Sequence, residues 1–170
     1  MKRKRILLAA AVLVAALGAA GVAVAGRDAA REAVPATAPF HDLEAAKAAG
    51  YAVQVFDAAG ITCIASDAGA MGIHMLNPAL LDGTVEAAHP ELLVYEPRND
   101  GTLKLVALEY LVFEGDWEGE EPPSLFGQTF DYMAAPNRYG LPAFYALHAW
   151  IWKPNPSGLF FAWNPRVDCG

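Results

Sequence analysis

One stretch decides the fold: residues 102–113, Thr-Leu-Lys-Leu-Val-Ala-Leu-Glu-Tyr-Leu-Val-Phe. Its length and apolar character predict a long β-strand. Both alternating faces of that strand are mostly apolar, so we expect it to be covered on both sides. Glu109 lies on one of these faces, with Ala107 and Leu111 as its nearest neighbours on that face. An ionised carboxylate in such a place costs several kcal/mol unless it is paired, hydrogen-bonded or bound to a metal ion.

Neighbouring segments predict an antiparallel sheet around this strand. Leu92–Glu96 precedes it, and the turn Arg98-Asn-Asp-Gly101 makes the two segments a hairpin. A second strand pair is expected at Ala143–Trp152 and Leu159–Trp163, joined by a turn that contains two prolines and a glycine. Because consecutive strands meet at tight turns, most of the sheet should be antiparallel.

Helical signals are few and short. Asp42 is placed to cap a helix that runs to about Ala49, and Gly50 suits the residue after its end. Asn77 followed by Pro78 predicts one further helical turn. The fold class we expect is therefore α+β: a mainly antiparallel sheet, able to curl toward a half-barrel, with one or two short helices and one disulfide.

The N-terminus predicts export. A basic stretch, Lys2–Arg5, precedes the apolar run Ile6–Val22, and Ala23-Val-Ala25 supplies the small residues that signal peptidase requires. We interpret residues 1–25 as a signal peptide, residues 26–39 as a flexible tether, and residues 40–170 as one globular domain. The alternative is an uncleaved membrane anchor, because the apolar segment is long enough to span a bilayer. Both interpretations place the domain outside the cytoplasm.

The net negative charge of the chain disfavours some classes of binding partner. The whole chain has a formal net charge of −7, and loss of residues 1–25 would remove four basic residues and no acidic ones. A domain with this much negative charge repels nucleic acid and anionic lipid headgroups. We therefore expect neither as a partner, and we expect no membrane association after signal cleavage. A small ligand or a partner protein remains open.

Two cysteines, Cys63 and Cys169, are the whole cysteine content of the chain. They are far apart in sequence and no CxxC spacing is present, so one structural disulfide is the favoured interpretation in an oxidising compartment. A metal-binding or redox role is the alternative.

Two histidines lie in apolar segments comparable to that of Glu109. His74 is in Gly-Ala-Met-Gly-Ile-His-Met-Leu, and His148 is in Tyr-Ala-Leu-His-Ala-Trp-Ile-Trp. Two imidazoles and a carboxylate suit zinc, iron, manganese or copper and leave coordination positions open. We therefore predict a divalent-metal site formed by His74, Glu109 and His148, with His41 as an optional fourth ligand.

A second interpretation needs no metal. Glu109 and His148 would form a structural hydrogen bond, which lowers the pKa of the acid and raises that of the base. The protein would then be a non-catalytic extracytoplasmic binding or envelope module, with the aromatic C-terminal strands as its binding surface. The sequence leaves open whether the protein is an enzyme. It contains no GxSxG, Walker A or GxGxxG motif, so a serine nucleophile elbow and nucleotide use are disfavoured.

Several segments together resemble a group of exported bacterial proteins without an assigned function. They are Met71-Gly-Ile-His74, Leu93-Val-Tyr-Glu-Pro97, Val106-Ala-Leu-Glu-Tyr110, Leu147-His-Ala-Trp-Ile-Trp152, Asn155-Pro-Ser-Gly-Leu-Phe160 and Trp163-Asn-Pro165. Proteins of this group often carry an aromatic residue after the first histidine, where this chain has Met75. The resemblance covers residues 40–167, and it implies export and a single domain but no reaction.

Overall fold

A seven-stranded sheet forms the body of the protein in a computed structural model that describes residues 26, 28–29 and 31–170. The strands are β1 (Val53–Gln54), β2 (Cys63–Ser66), β3 (Gly69–Leu76), β4 (Leu92–Pro97), β5 (Leu103–Phe113), β6 (Ser124–Leu125), β7 (Gln128–Thr129), β8 (Asp131–Met133) and β9 (Phe144–Ala149). The order across the sheet is β1-β3-β4-β5-β9-β8, β2 also pairs with β3, and β6 and β7 form a separate hairpin. Every pairing between these strands is antiparallel and the sheet is open, which confirms the predicted α+β class.

The local predictions around the helices are confirmed. A helix runs over Leu43–Ala48, and the side chain of Asp42 accepts a hydrogen bond from the backbone N–H of Glu44 at 2.9 Å. Asn77 caps a 3₁₀ turn in the same way, through the N–H of Ala79. The 3₁₀ turns are Ala38–His41, Pro78–Leu80 and Glu114–Asp116.

Both faces of the sheet are covered, as the apolar pattern of β5 predicts. The larger core contains these buried residues: Ala33, Ala46, Tyr51, Met75, Leu93, Tyr95, Leu105, Leu108, Tyr110, Phe130, Leu147 and Ala149. The opposite face carries two smaller clusters, one with Val94, Ala107 and Trp150 and the other with Leu92, Leu111 and Phe144. Because cross-strand partners share a face, Glu109, which is opposite Leu92, belongs to this second face.

The predicted strand at Leu159–Trp163 is wrong, and β9 ends at Ala149 rather than at Trp152. Carbonyl groups of this segment accept hydrogen bonds from scattered donors instead of from a strand ladder. The backbone N–H of Trp150 donates to Leu159 O at 2.9 Å, and its indole N–H donates to Phe161 O at 2.7 Å. The Asn155 amide donates to the carbonyls of Phe161 and Trp163, both at 3.0 Å. These bonds hold an irregular loop against the sheet.

The predicted tether over residues 26–39 also needs correction. Residues 31–37 are helical, and Ala33 is fully buried in the larger core. Thr37 is buried too, and its hydroxyl accepts a hydrogen bond from the Trp152 indole at 3.2 Å. The small alanine side chains permit this close packing. The predicted signal peptide, residues 1–25, lies outside the described residues, and no helix among those described is long and apolar enough to cross a bilayer.

The predicted disulfide is present. Cys63 and Cys169 are joined with a Cα–Cα distance of 5.7 Å across 106 residues of sequence. The bond fastens the C-terminus to β2, next to the strand that carries His74. It therefore ties the C-terminal segment to the part of the sheet that contains β3.

Candidate metal centre

Three strands of the sheet bring His74, Glu109 and His148 into one buried group. One ligand atom from each residue lies within 4.8 Å of the others. All three residues are buried, with relative exposures of 4%, 8% and 4%. The sequence therefore predicted the membership of this group correctly, although the three residues lie on separate elements and form no spacing motif.

The register of the sheet explains how the group forms. Glu109 on β5 and His148 on β9 are direct cross-strand partners. His74 on β3 is opposite Val94 on β4, so one whole strand separates it from β5. Two strand spacings amount to about 10 Å, which long side chains on one face can span by leaning toward each other. The rings and the carboxylate consequently meet above β4 and β5, between the two smaller apolar clusters.

Glycine at position 72 allows β3 to approach β4 just before His74. Its φ is +112°, and a Cβ there would lie 2.6 Å from the carbonyl oxygen of Tyr95. An L-residue with a side chain tolerates neither that backbone conformation nor that contact. The close approach of β3 to β4 therefore requires glycine at position 72 of the Met71–His74 segment.

The closest contact in the group joins His74 Nε2 and Glu109 Oε2 at 3.0 Å. That distance is short enough for a hydrogen bond, yet His74 Nε2 makes none with acceptable direction among the described residues. The contact is a close electrostatic one with poor alignment. It stabilises the carboxylate without using the ring nitrogen as a well-directed donor.

His148 differs from the sequence-based expectation. A hydrogen bond between Glu109 and His148 was expected, but neither ring nitrogen of His148 has a partner among the described residues. The ring packs against Trp150, with ring centres 4.6 Å apart, and lies 5.9 Å from the ring of His74. Leaving a buried polar group without a partner costs about 1–3 kcal/mol. His148 is therefore well placed to be a ligand and poorly placed to be a structural residue.

Burial and charge set the protonation states of the group. Burial lowers the pKa of His148 to about 3, and this outweighs the opposing effect of Glu109. The expected rise in the pKa of His148 is therefore wrong. For Glu109, burial acts to raise the pKa, but the two nearby imidazoles hold it below its ordinary value. At neutral pH the group offers a neutral imidazole from His148 and an ionised carboxylate, the states in which these side chains bind metal.

His41, the optional fourth ligand, is not brought into this group. It is an exposed residue at the end of a 3₁₀ turn, and its ring meets Trp152 edge-on at 4.4 Å between centres. His41 lies away from the group because its neighbour Asp42 caps a helix that packs on the other face of the sheet. Among the described residues, three candidate ligands therefore remain: His74, Glu109 and His148.

A narrow apolar cleft opens onto the group. Its volume is about 190 Å³, and His74 and Glu109 form part of its wall. The other lining residues are Val55, Leu76, Leu81, Leu92, Leu111, Phe113, Tyr139, Leu141 and Phe144. The C-terminal aromatic segment, which the binding-module interpretation favours as a surface, does not line this cleft.

Tyr139 is a polar residue of the cleft that sequence reasoning missed. Its hydroxyl has a weak contact with the thioether of Met71 at 3.9 Å. Burial, assisted by the nearby charge of Glu109, raises the pKa of Tyr139 to about 12, so the group remains a donor at neutral pH. Its neighbourhood, Asn-Arg-Tyr-Gly-Leu-Pro, gives a loop signal but no indication that the loop folds over the cleft.

Glu91 is a second buried acid that sequence reasoning missed. It is 2% exposed, and its Oε2 accepts a hydrogen bond from the backbone N–H of Leu111 at 2.9 Å. Burial raises its pKa to about 8. The sequence signal for Glu91 was an acidic residue directly before the apolar run of β4. In the structure its side chain accepts a hydrogen bond from β5.

Comparison with protein-family models, with curated proteins and with solved structures finds no match for this chain. What the protein binds is therefore inferred from its own side chains. They provide two imidazoles and a carboxylate, buried together beside an apolar cleft.

Proposed function

We propose that the protein binds one divalent transition-metal ion through His74, Glu109 and His148. A single observation carries this proposal: both ring nitrogens of His148 are buried with no partner in the described part of the chain, next to the ligand atoms of the other two residues. Buried polar atoms are almost always satisfied in folded proteins. An ion at this point would satisfy a nitrogen of each ring and the carboxylate together.

The donor set fits the proposal. Two imidazoles and one carboxylate occur around catalytic zinc and around non-haem iron, and each arrangement leaves positions for water or another molecule. An ion bound at about 2.1 Å holds its ligand atoms no more than about 4.2 Å apart. Since the atoms here lie within 4.8 Å, small movements of the side chains complete the site.

The competing interpretation is a structural contact within a non-catalytic binding module. The 3.0 Å approach of His74 to Glu109 fits that interpretation as well as it fits a metal site. His148 does not, because a purely structural imidazole would be expected to donate to a carbonyl or a carboxylate. For this reason we favour the metal.

Export is part of the proposal. The basic and apolar segments at the N-terminus support it, and so does the disulfide between Cys63 and Cys169, since disulfides persist in oxidising compartments. A metal site in such a compartment would be loaded after translocation, and its ion would be the one most available there.

The test is elemental analysis of the native exported protein, followed by thermal unfolding with and without a chelator. We expect about one zinc, iron, manganese or copper ion per chain, and a lower Tm once the ion is removed. The His148→Ala variant should purify without the ion. His89→Ala is the matched control, because His89 is an exposed histidine whose partner is Glu86. A protein that contains no metal, and whose Tm responds to neither chelator nor any of these four ions, would leave the structural interpretation standing.

A further inference from the structure

We infer that the cleft accommodates a largely apolar molecule about the size of one aromatic ring, which donates a single oxygen or nitrogen atom to the bound ion. This inference rests on the proposed metal site and adds the chemical class of its ligand. It also explains why a buried metal site adjoins an open apolar space rather than a closed core.

Size is the first argument. The cleft has a volume of about 190 Å³. An apolar cavity of about 150 Å³ in another protein accommodates benzene, so this cleft has room for a ring with one or two small substituents. A sugar chain, a nucleotide or a folded peptide segment would exceed it.

The wall argues for a largely apolar ligand. Among the described residues that line the cleft, only His74, Glu109 and Tyr139 carry polar side-chain atoms. Arg138, which precedes Tyr139 in the sequence, is already paired, with its Nη2 at 2.9 Å from Asp57 Oδ2. A charged group on the part of the ligand that lies along this wall, away from the ion, would lose its hydration and find no free counter-charge there, and this costs far more than burying an apolar ring.

The polar atoms argue for one donor atom at a defined end of the ligand. His74 and Glu109 line the cleft, so the ion that they bind would face it with an open coordination position. Within residues 26, 28–29 and 31–170, the Tyr139 hydroxyl has only the thioether of Met71 as a partner, and it remains protonated at neutral pH. It is available to donate a hydrogen bond to the ligand atom that reaches the ion. Tyr139 is thus a positioning residue for the ligand.

Cobalt(II)-loaded protein and two probes test the inference: phenol and toluene. Phenol has the proposed ring and oxygen, and toluene lacks the oxygen. We expect phenol to change the visible absorption of cobalt(II) in a saturable manner. Toluene should compete with phenol without changing the spectrum itself.

Variants assign the binding to the cleft. Leu141→Trp should fill the cleft and abolish the phenol response while cobalt still binds, and Leu81→Phe provides a second filling variant should the first fold poorly. Ile61→Trp, at a position 48% exposed and outside the lining, is the control that adds similar bulk. Tyr139→Phe should weaken phenol several-fold and leave toluene unchanged.

The outcomes separate the inference from the proposed function. If cobalt binds but phenol leaves the spectrum unchanged, or if the filled variants respond like the unaltered protein, the metal site stands and the ligand inference is overturned. Failure of toluene to compete with phenol overturns it as well. If cobalt does not bind and neither zinc, iron, manganese nor copper raises the Tm, the proposed function and the ligand inference both fall.

Discussion

His148 lies directly opposite Glu109 on the neighbouring strand, yet neither of its ring nitrogens has a hydrogen-bond partner among the described residues. The carboxylate instead approaches His74, whose strand is two positions away across the sheet. Two imidazoles therefore converge on one acid without satisfying each other. This arrangement suits a group that is completed by an ion.

Substitution of His148 by leucine should have opposite effects on stability and on metal binding. In chelator-treated protein, His148→Leu should raise the free energy of unfolding by about 1–3 kcal/mol, because it removes buried nitrogens that have no partner. The same variant should retain no metal after dialysis. Thermal unfolding and elemental analysis measure the two effects, with the exposed His89→Leu as control. Strong destabilisation of the metal-free variant would show that the ring has a structural role instead.

Neutralising Glu109 should weaken metal binding while the shape of the site is kept. Glu109→Gln retains the size of the side chain and removes the charge that would balance a divalent ion. Replacing a residue that hydrogen-bonds to a metal ligand typically lowers the metal affinity 10–100-fold. Loss of the charge of a ligand itself should lower it more. Competition titration against a coloured chelator measures this. An affinity within about threefold of the original would exclude Glu109 as a ligand.

Acidification should destabilise the metal-free protein. The pKa of His148 is about 3 in the folded state, against an ordinary 6.5. Below pH 6.5 the unfolded chain therefore takes up a proton that the folded protein does not, and stability falls by about 1.4 kcal/mol per pH unit until the folded pKa is reached. The lowered pKa of Glu109 acts in the same direction at lower pH. Urea unfolding between pH 7 and 5 measures this. The free energy of unfolding of His148→Leu should depend less steeply on pH than that of the unaltered protein, by a slope equivalent to about one proton.

Glu91→Gln should remove a loss of stability that develops as the pH rises from 4.5 to about 8. The folded protein keeps Glu91 protonated up to a pKa of about 8, whereas the ordinary value is 4.5. Between these values the unfolded chain releases a proton that the folded protein retains, so stability falls as pH rises, by about 1.4 kcal/mol per unit. Glutamine keeps a carbonyl acceptor for the Leu111 N–H and cannot ionise. Unfolding at pH 8 should therefore show the variant to be more stable, and the exposed Glu120→Gln should have no such effect.

Gly72→Ala should disturb both β3 and the metal site. The new methyl group would lie 2.6 Å from Tyr95 O, at a φ of +112°. We expect a loss of about 1–3 kcal/mol in stability from strain, together with weaker metal binding through displacement of His74. Gly101→Ala is the matched control, since its φ is +81° but nothing lies within 4 Å of the added group. Equal losses in the two variants would mean that the contact with Tyr95 has no effect of its own.

Local patterns predicted the elements whose stabilising contacts are themselves local. The β4–β5 hairpin, the Asp42 and Asn77 caps and the burial of Glu109 follow from neighbouring residues, and the structure has all of them. The segment Leu159–Trp163 has a strand-like composition, but its carbonyls accept bonds from Trp150 and Asn155. Those donors belong to a loop whose path no periodicity reveals, and so the strand prediction failed there.

By itself, the sequence determined that an acid and two histidines lie in apolar segments, and this favoured one shared site for them. Alternation along a strand gives the face on which a side chain lies, and this is information that each segment carries alone. Only the tertiary structure decided that His74 rather than His148 contacts Glu109, that His41 stays outside, and that Tyr139 borders the cleft. The order of strands and the path of loops depend on contacts between residues distant in sequence, because the whole core must pack at once.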